Sequence, residues 1–247
     1  MSRAQKSPGN SLKQYYKHLL QQLGPQGWWP GRTRLEIILG AILTQNTAWT
    51  NAALALRQLR KRRLLTVTRL REASLVELEA GIKSAGFFRQ KARTIRTFIA
   101  WLSAECGGSL QTMFARPMVE LRRDLLRLRG LGPETVDAIL LYAGRKPFYV
   151  ADEYTRRILA RHELVPARIS YAALQQFIQE EFPADHALFN EFHALLVTVG
   201  KRWCRRGQPQ CDDCVLREFL PATARVGTTG VAHLDPPAAP ALRLRRR

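Results

Sequence analysis

The chain has 247 residues, 46% of them hydrophobic, and 39 Lys and Arg stand against 20 Asp and Glu, a formal charge of +19. The apolar content is ample for a packed core, one large domain or two small ones. No apolar run approaches the ~20 residues of a membrane span; the longest, residues 35–43, is broken by Glu36. The charge excess points to a polyanion, nucleic acid ahead of a membrane surface. Residues 1–11 are polar, without the apolar region of a secretory signal, so a soluble, cytoplasmic, nucleoid-associated protein is expected. Of four cysteines, Cys204, Cys211 and Cys214 fall within eleven residues and Cys106 lies far away. In an intracellular chain that clustering favours metal over disulfides.

In chain order, residues 1–11 read as a disordered basic lead. Ser11 can cap a helix over 12–23, which Gly24-Pro25 ends. Gly27-Trp28-Trp29-Pro30-Gly31 follows, an aromatic loop bounded by glycine and proline. Two adjacent tryptophans should not both enter one small core. Either one packs inward while the other clamps the loop, or the loop offers a stacking surface for a base. A buried helix is predicted from 33 towards 47, with Leu35, Ile38, Leu39 and Ile42 at helical spacing. It runs into Thr44-Gln45-Asn46-Thr47-Ala48-Trp49, where two amides able to replace base-pair hydrogen bonds sit beside a third tryptophan. A further helix carries Leu54, Leu56 and Leu59, and the charged run 57–63 reads as its solvated end. Ser74 and Glu77 form a capping box for a helix to Ile82. Gly86-Phe87-Phe88 breaks the chain. The helix over 91–102 should bury Ile95, Phe98, Ile99 and Leu102 and leave Lys91, Arg93 and Arg96 outside.

The next segment is the informative one. Residues 117–126 and 136–143 read as two helices joined by Leu128-Arg129-Gly130-Leu131-Gly132-Pro133-Glu134-Thr135. The glycines allow a tight turn and close approach. Pro133 falls where a helix start tolerates proline, and the free amides there suit a phosphate oxygen. An ordinary αα-corner remains the plain alternative. After Gly144, Pro147-Phe148-Tyr149-Val150-Ala151 is extended, and Asp152 caps a helix over 153–162. Helices over 171–182 and 186–199 follow. On the last of these His193, amid Phe189, Phe192 and Leu196, reads as a packed core histidine; His162 and His186 read as exposed. The chain then passes through the cysteine cluster into a Pro/Ala/Arg-rich tail. About ten helices with no alternating pattern predict an all-α fold.

The hairpin together with Pro147-Phe148-Tyr149-Val150-Ala151-Asp152 resembles the helix-hairpin-helix and Gly/Pro-Asp motif of the endonuclease III superfamily of DNA glycosylases. Leu43-Thr44-Gln45-Asn46-Thr47, the stretch from Ile82 to Ala92, and Cys204-x6-Cys211-x2-Cys214 match further family segments in the right order. The resemblance covers about residues 12–220 and implies two helical domains with the active site in the cleft between them. One would be 32–144, ending in the hairpin; the other would join 12–31 to 145–221, with 1–11 and 222–247 as disordered basic tails. It further implies a partner, double-stranded DNA with a damaged base, bound by a monomer through Gln45, Asn46, Leu128, Gly130, Gly132 and Thr135. Asp152 matches the catalytic aspartate, where a carboxylate stabilises the positive charge left on the sugar and orients or deprotonates water.

Two departures matter. Family members that also cut the strand carry a lysine whose amine forms a Schiff base with the sugar; the position here is Glu134. The chemistry expected is therefore base removal alone. Together with the Trp28-Trp29-Pro30 loop and Trp49, this looks like the bacterial 3-methyladenine branch, in which a C-terminal lysine, here Lys201, lies near the glutamate. Electron-rich rings suit a cationic alkylated purine. The alternatives are a glycosylase/lyase acting on oxidised pyrimidines and a non-catalytic DNA-binding protein. The second departure is the cluster. The family spacing Cys-x6-Cys-x2-Cys-x5-Cys ends here in Leu220. No cofactor is required for the chemistry, and the three thiols leave open an iron–sulfur cluster completed by Asp212 or Asp213, zinc, or no metal.

Overall fold

The structure is a computed structural model that describes residues 12–29 and 31–222; the expectations for Pro30 and for the two tails lie outside the described residues. The described residues form twelve α-helices and no strand: α1 (Leu12–Leu23), α2 (Arg34–Leu43), α3 (Trp49–Lys61), α4 (Val67–Glu72), α5 (Leu75–Ile82), α6 (Phe88–Cys106), α7 (Leu110–Ala115), α8 (Met118–Leu126), α9 (Pro133–Ala138), α10 (Glu153–Arg161), α11 (Tyr171–Glu181) and α12 (His186–Arg202). The all-α expectation holds. The short α4 and α7 escaped the sequence because six residues carry too few turns to show a period. Among the described residues no helix is long and apolar enough to cross a membrane.

Caps explain most of the helix starts. The side chains of Thr33, Thr66, Ser74, Ser109, Asp152, Ser170 and Asp185 each accept a first-turn amide, satisfying a donor the helix itself leaves free. The helix from Thr33 stops at Leu43, short of its expected end. Thr44 bonds back to the Gly40 carbonyl, and Asn46 turns left-handed at φ 51°.

One apolar core runs through the helices from α2 to α9 and on into α1 and α10–α12. α2 packs on α3, α6 and α9, while α1 packs on α11 and α12, and α10 packs on α12. Two buried charged side chains brace this arrangement. Asp137 of α9 accepts two bonds from Arg122 of α8 (2.7 and 3.0 Å), one from the Tyr171 hydroxyl (2.9 Å) and one from the Gln175 amide (2.7 Å). The hairpin is thereby tied to α11 through a carboxylate that accepts four hydrogen bonds.

The second brace corrects an expectation. Lys91 is not on the outer face of α6: it is 2% exposed. Its ammonium donates to the carbonyls of Leu43 (2.9 Å) and Ala85 (2.8 Å), which end α2 and the turn after α5. Oxygens left unpaired at helix ends draw a cation inward, and burial pushes its pKa down. His162 is also buried rather than exposed. Its Nδ1 lies 2.9 Å from the Tyr15 hydroxyl on α1, because α10 ends against α1 rather than in solvent.

Candidate active site and nucleic-acid interface

The hairpin between α8 and α9 turns at Gly130, with φ +94°. A Cβ there would stand 2.0 Å from the Thr94 hydroxyl of α6, so close approach as well as backbone angle demands glycine. Gly132 differs from what its pattern suggested. Its backbone is extended and a Cβ would meet nothing within 4 Å. The glycine pair is one structural requirement and one open face.

Gln45 joins the hairpin from the other side. Its amide donates to the Gly130 carbonyl (2.9 Å) and to the Thr135 hydroxyl (2.8 Å). Gln45 and two other residues named from the sequence, 85 and 90 positions away, thus meet in one hydrogen-bonded unit. Leu128 is half-buried in the core and Asn46 is exposed. Beside this loop stands a residue the sequence reading passed over. Phe87 is 69% exposed and holds a left-handed backbone (φ 44°) at the start of α6. A bulky residue in that conformation marks a constrained turn. Lys91 fastens that turn to the end of α2 by bonding both. The signal in the sequence was Gly86-Phe87-Phe88, two aromatics at a break where one would fill the core.

The aromatic residues gather on the other side of α9. Past Ala138 the helix widens into a π-turn over Ile139–Ala143, closed by the Gly144 amide on the Ile139 carbonyl (3.1 Å). Such widened turns re-aim side chains, and this one carries Tyr142. Trp29 lies against Tyr142 with ring centres 4.8 Å apart and planes 35° apart. Trp49 meets Trp29 edge-on at 5.1 Å, and Trp28 meets it edge-on at 5.6 Å. Both adjacent tryptophans are half-buried against the core, correcting the expectation that they could not share it. Gly40 of α2 provides the space: a Cβ there would stand 3.4 Å from the indoles of both Trp29 and Trp49. The Trp28 carbonyl accepts from Asn190 (2.6 Å), and the Lys201 ammonium lies 5.2 Å from the Trp28 ring centre.

Asp152 stands at the start of α10. Its Oδ1 accepts the Thr155 amide at 2.8 Å, and its Oδ2 lies 3.4 Å from Nε2 of His193. Nδ1 of that imidazole meets the Tyr142 hydroxyl. Burial pushes the Asp152 carboxyl up, but His193 and the Thr155 bonds outweigh it and hold the pKa below the ordinary value. Glu134, on the first turn of α9, moves the other way. It reaches solvent, yet its packed surroundings and then the Asp152 charge raise its pKa, against a smaller opposing effect of His193. Two carboxyl groups pushed in opposite directions can take different roles. His193 is buried as expected, but it is not merely core. Its polar function was invisible because its partners lie on other elements.

The cysteine loop packs on α10 and α12. Cys204, Cys211 and Cys214 line a cavity of about 10 Å³ with Ile158, Arg161, His162, Val199, Trp203, Leu216 and Leu220, room for about one water. Arg161 donates to the Cys204 sulfur (3.1 Å) and to the Arg205 and Arg206 carbonyls (2.6 and 2.8 Å). Burial raises the Cys211 thiol pKa and lifts that of Cys214 to about 11. Leu220 turns a buried apolar side chain into the place of the fourth ligand, and Asp212 faces Arg217 at 3.7 Å. Among the described residues no group of three or more His, Cys, Asp or Glu is disposed to hold a metal ion. The residues do not fit a four-thiolate cluster.

With this geometry in hand, comparison with known proteins identifies the family. Residues 39–184 match the model of the HhH-GPD superfamily base excision DNA repair protein. The chain is 34% identical over 205 residues to Methanocaldococcus jannaschii MJ1434, provisionally named a DNA repair glycosylase, covering 83% of this chain and 93% of that one. It is 28% identical over 192 residues to the endonuclease III of Sulfolobus acidocaldarius, covering 76% and 83%. Among solved structures, a trapped covalent intermediate of endonuclease III with DNA superposes at a TM-score of 0.72 and 21% identity, over 84% of this chain and 93% of that one. The Helicobacter pylori 3-methyladenine DNA glycosylase MagIII, bound to 1,N6-ethenoadenine, superposes at 0.67 and 23% identity, over 76% and 96%. These likenesses in structure show the fold, and the family match extends across the hairpin and Asp152. The chain belongs to the HhH-GPD superfamily of base excision DNA repair proteins and is a DNA glycosylase of that family.

Proposed function

We propose that this glycosylase is monofunctional: it extrudes an alkylated purine of the 3-methyladenine kind from double-stranded DNA and hydrolyses its N-glycosidic bond. One observation carries the reading. The aromatic group of Trp28, Trp29, Trp49 and Tyr142 is joined to Asp152 through His193. A base stacked against those rings would therefore leave its sugar beside the carboxylate. As the bond breaks, the base departs with the electron pair and positive charge grows on the sugar. An ionised Asp152 stabilises that charge and takes the proton of the attacking water. Electron-rich indoles favour a cationic, electron-poor purine, whose bond needs little acid help.

Glu134 supports base removal without strand cutting, because a carboxylate cannot form a Schiff base. The grip on DNA would come from the free amides around Gly132 and from the basic surface, so binding should weaken steeply with salt. Phe87, exposed beside the Gln45 turn, suits the gap that an extruded base leaves in the stack. A second reading has one observation in its favour. The Lys201 amine lies beside the aromatic group, and it would supply the nucleophile of a lyase.

The deciding experiment is release of free bases from methylated duplex DNA by the purified protein, with Asp152→Asn alongside. The expected result is release of 3-methylpurines and a loss of about 10²–10⁴-fold in the variant, the usual worth of such a group. Full activity in Asp152→Asn overturns the mechanism, and release confined to oxidised pyrimidines overturns the substrate.

A further inference from the structure

The chain from Tyr142 through His193 to Asp152 is more elaborate than either a helix cap or an aromatic wall requires. We propose that His193 is a positioning residue: it fixes the Oδ2 edge of Asp152 and, through the Tyr142 hydroxyl, ties that carboxylate to the Trp29 face.

The geometry supports this on three counts. First, the two oxygens of Asp152 are divided: Oδ1 takes the Thr155 amide and Oδ2 faces His193. A His193 N–H closing on Oδ2 would hold both edges and stop the carboxylate rotating about its own bond. The 3.4 Å separation is longer than a formed hydrogen bond, as expected of a site that tightens when substrate fills it. Second, His193 is 5% exposed and meets the Tyr149 ring, which in turn packs on Phe189 and Phe192. A phenyl ring would fill that space without the cost of burying a polar group. The imidazole instead aims one nitrogen at a hydroxyl and the other at a carboxylate. In both the neutral Nε2–H tautomer and the imidazolium, an N–H faces Asp152. Third, Tyr142 is the ring on which Trp29 lies, so the same side chain touches the aromatic wall and the histidine. Rotation of Tyr142 by an entering base would move the partner of Asp152.

The charged and titratable groups facing this pair are Glu134 from α9, Tyr142 from the π-turn and Tyr149 from the extended link. All are acids. Against burial, His193 and Thr155 keep Asp152 in its charged form. Loss of the imidazole therefore raises the Asp152 pKa, so that the active carboxylate is lost at a higher pH as the solution is acidified.

The test is read first without substrate, by the side-chain carboxyl 13C signal of Asp152 across pH, assigned with Asp152→Asn. His193→Phe should raise the midpoint by about one unit, a tenfold smaller carboxylate fraction at acid pH. His193→Gln, whose amide can reach the same oxygen, should restore much of it, and Tyr142→Phe should give a smaller shift of the same sign. In single-turnover excision from methylated DNA, His193→Phe should lose about 10–100-fold at acid pH and move the acid limb upward, with affinity for abasic duplex within about twofold. A role in packing alone predicts equal thermal destabilisation in the Phe and Gln variants and an unmoved midpoint, which overturns the proposal. If His193→Phe does not fold, unmoved midpoints in both His193→Gln and Tyr142→Phe overturn it equally. Failure to excise methylated bases would count against the substrate reading only, since the carboxyl titration needs no substrate.

Discussion

The Lys201 ammonium lies 5.2 Å from the centre of the Trp28 ring, while Asn190, eleven residues earlier on the same helix, donates to the Trp28 carbonyl. Helix α12 therefore supports the tryptophan loop at two levels and places the Lys201 amine over a ring face. There it is a cation on a π-surface, and the hairpin itself offers a carboxylate, Glu134, where Schiff-base chemistry would need an amine.

That division yields the first prediction. Borohydride treatment of the wild-type protein with abasic DNA should trap no covalent adduct. Glu134→Lys should trap one, because it sets an amine beside Asp152. An adduct formed by the wild type and lost in Lys201→Ala would reverse the assignment and make Lys201 the nucleophile.

Gly130 offers a test of the hairpin. An alanine there takes a left-handed backbone and drives its Cβ into the Thr94 hydroxyl, 2.0 Å away. Gly130→Ala should cost about 2–4 kcal/mol in chemical denaturation, combining backbone strain with overpacking. Adding Thr94→Gly should recover the steric part. The open surroundings of Gly132 predict a contrast: Gly132→Ala should leave stability within about 0.5 kcal/mol of wild type and show its effect in DNA affinity.

His162 sets a pH dependence. Burial, the main cause, lowers its pKa from 6.5 to about 4. The unfolded chain then binds the proton more readily than the folded one between those values. Stability is full above pH 6.5 and falls as the pH drops towards 4, by about 3 kcal/mol at most from this group. Urea midpoints at pH 7 and pH 4.5 should separate by less in His162→Gln than in wild type. An equal separation would show that the acid sensitivity lies elsewhere.

For the cysteine loop, three thiols, a buried Leu220 and the Arg161 bonds to Cys204 and the adjacent carbonyls predict a loop held by packing and hydrogen bonds. Purified protein should show no visible iron–sulfur absorption, and chelator should leave the thermal midpoint unchanged. Arg161→Ala should lower that midpoint more than Cys214→Ser does. A chelator-sensitive midpoint would assign the loop to a metal.

Much of this site was legible in the chain because its parts are local. The Gly130 turn and the Asp152 cap follow from chemistry set by neighbours within a few residues, the roles expected of Glu134 and Asp152 came from the family resemblance, and Gln45 sits at a helix end that its own polar run announces. The long amphipathic helices were legible for the same reason: α6 and α12 repeat their period over enough turns to be counted. Residues whose environment comes from distant segments were not. Lys91 looked like a surface cation until the end of α2 and the turn after α5 brought two carbonyls to it. His162 looked exposed until α1 covered it. His193 looked like core until Tyr142 and Asp152 arrived on either side of its ring.

The sequence by itself determined that the chain is helical, basic and built around a glycine hairpin followed by an aspartate, because period, charge and turn chemistry are properties of neighbouring residues. Only the tertiary structure decided which polar side chains are buried and whom they face. Burial and pairing depend on contacts across 48 to 147 positions of sequence, as between Lys91 and Leu43 or Tyr15 and His162. Those contacts set the pKa values and the orientation from which the chemistry follows.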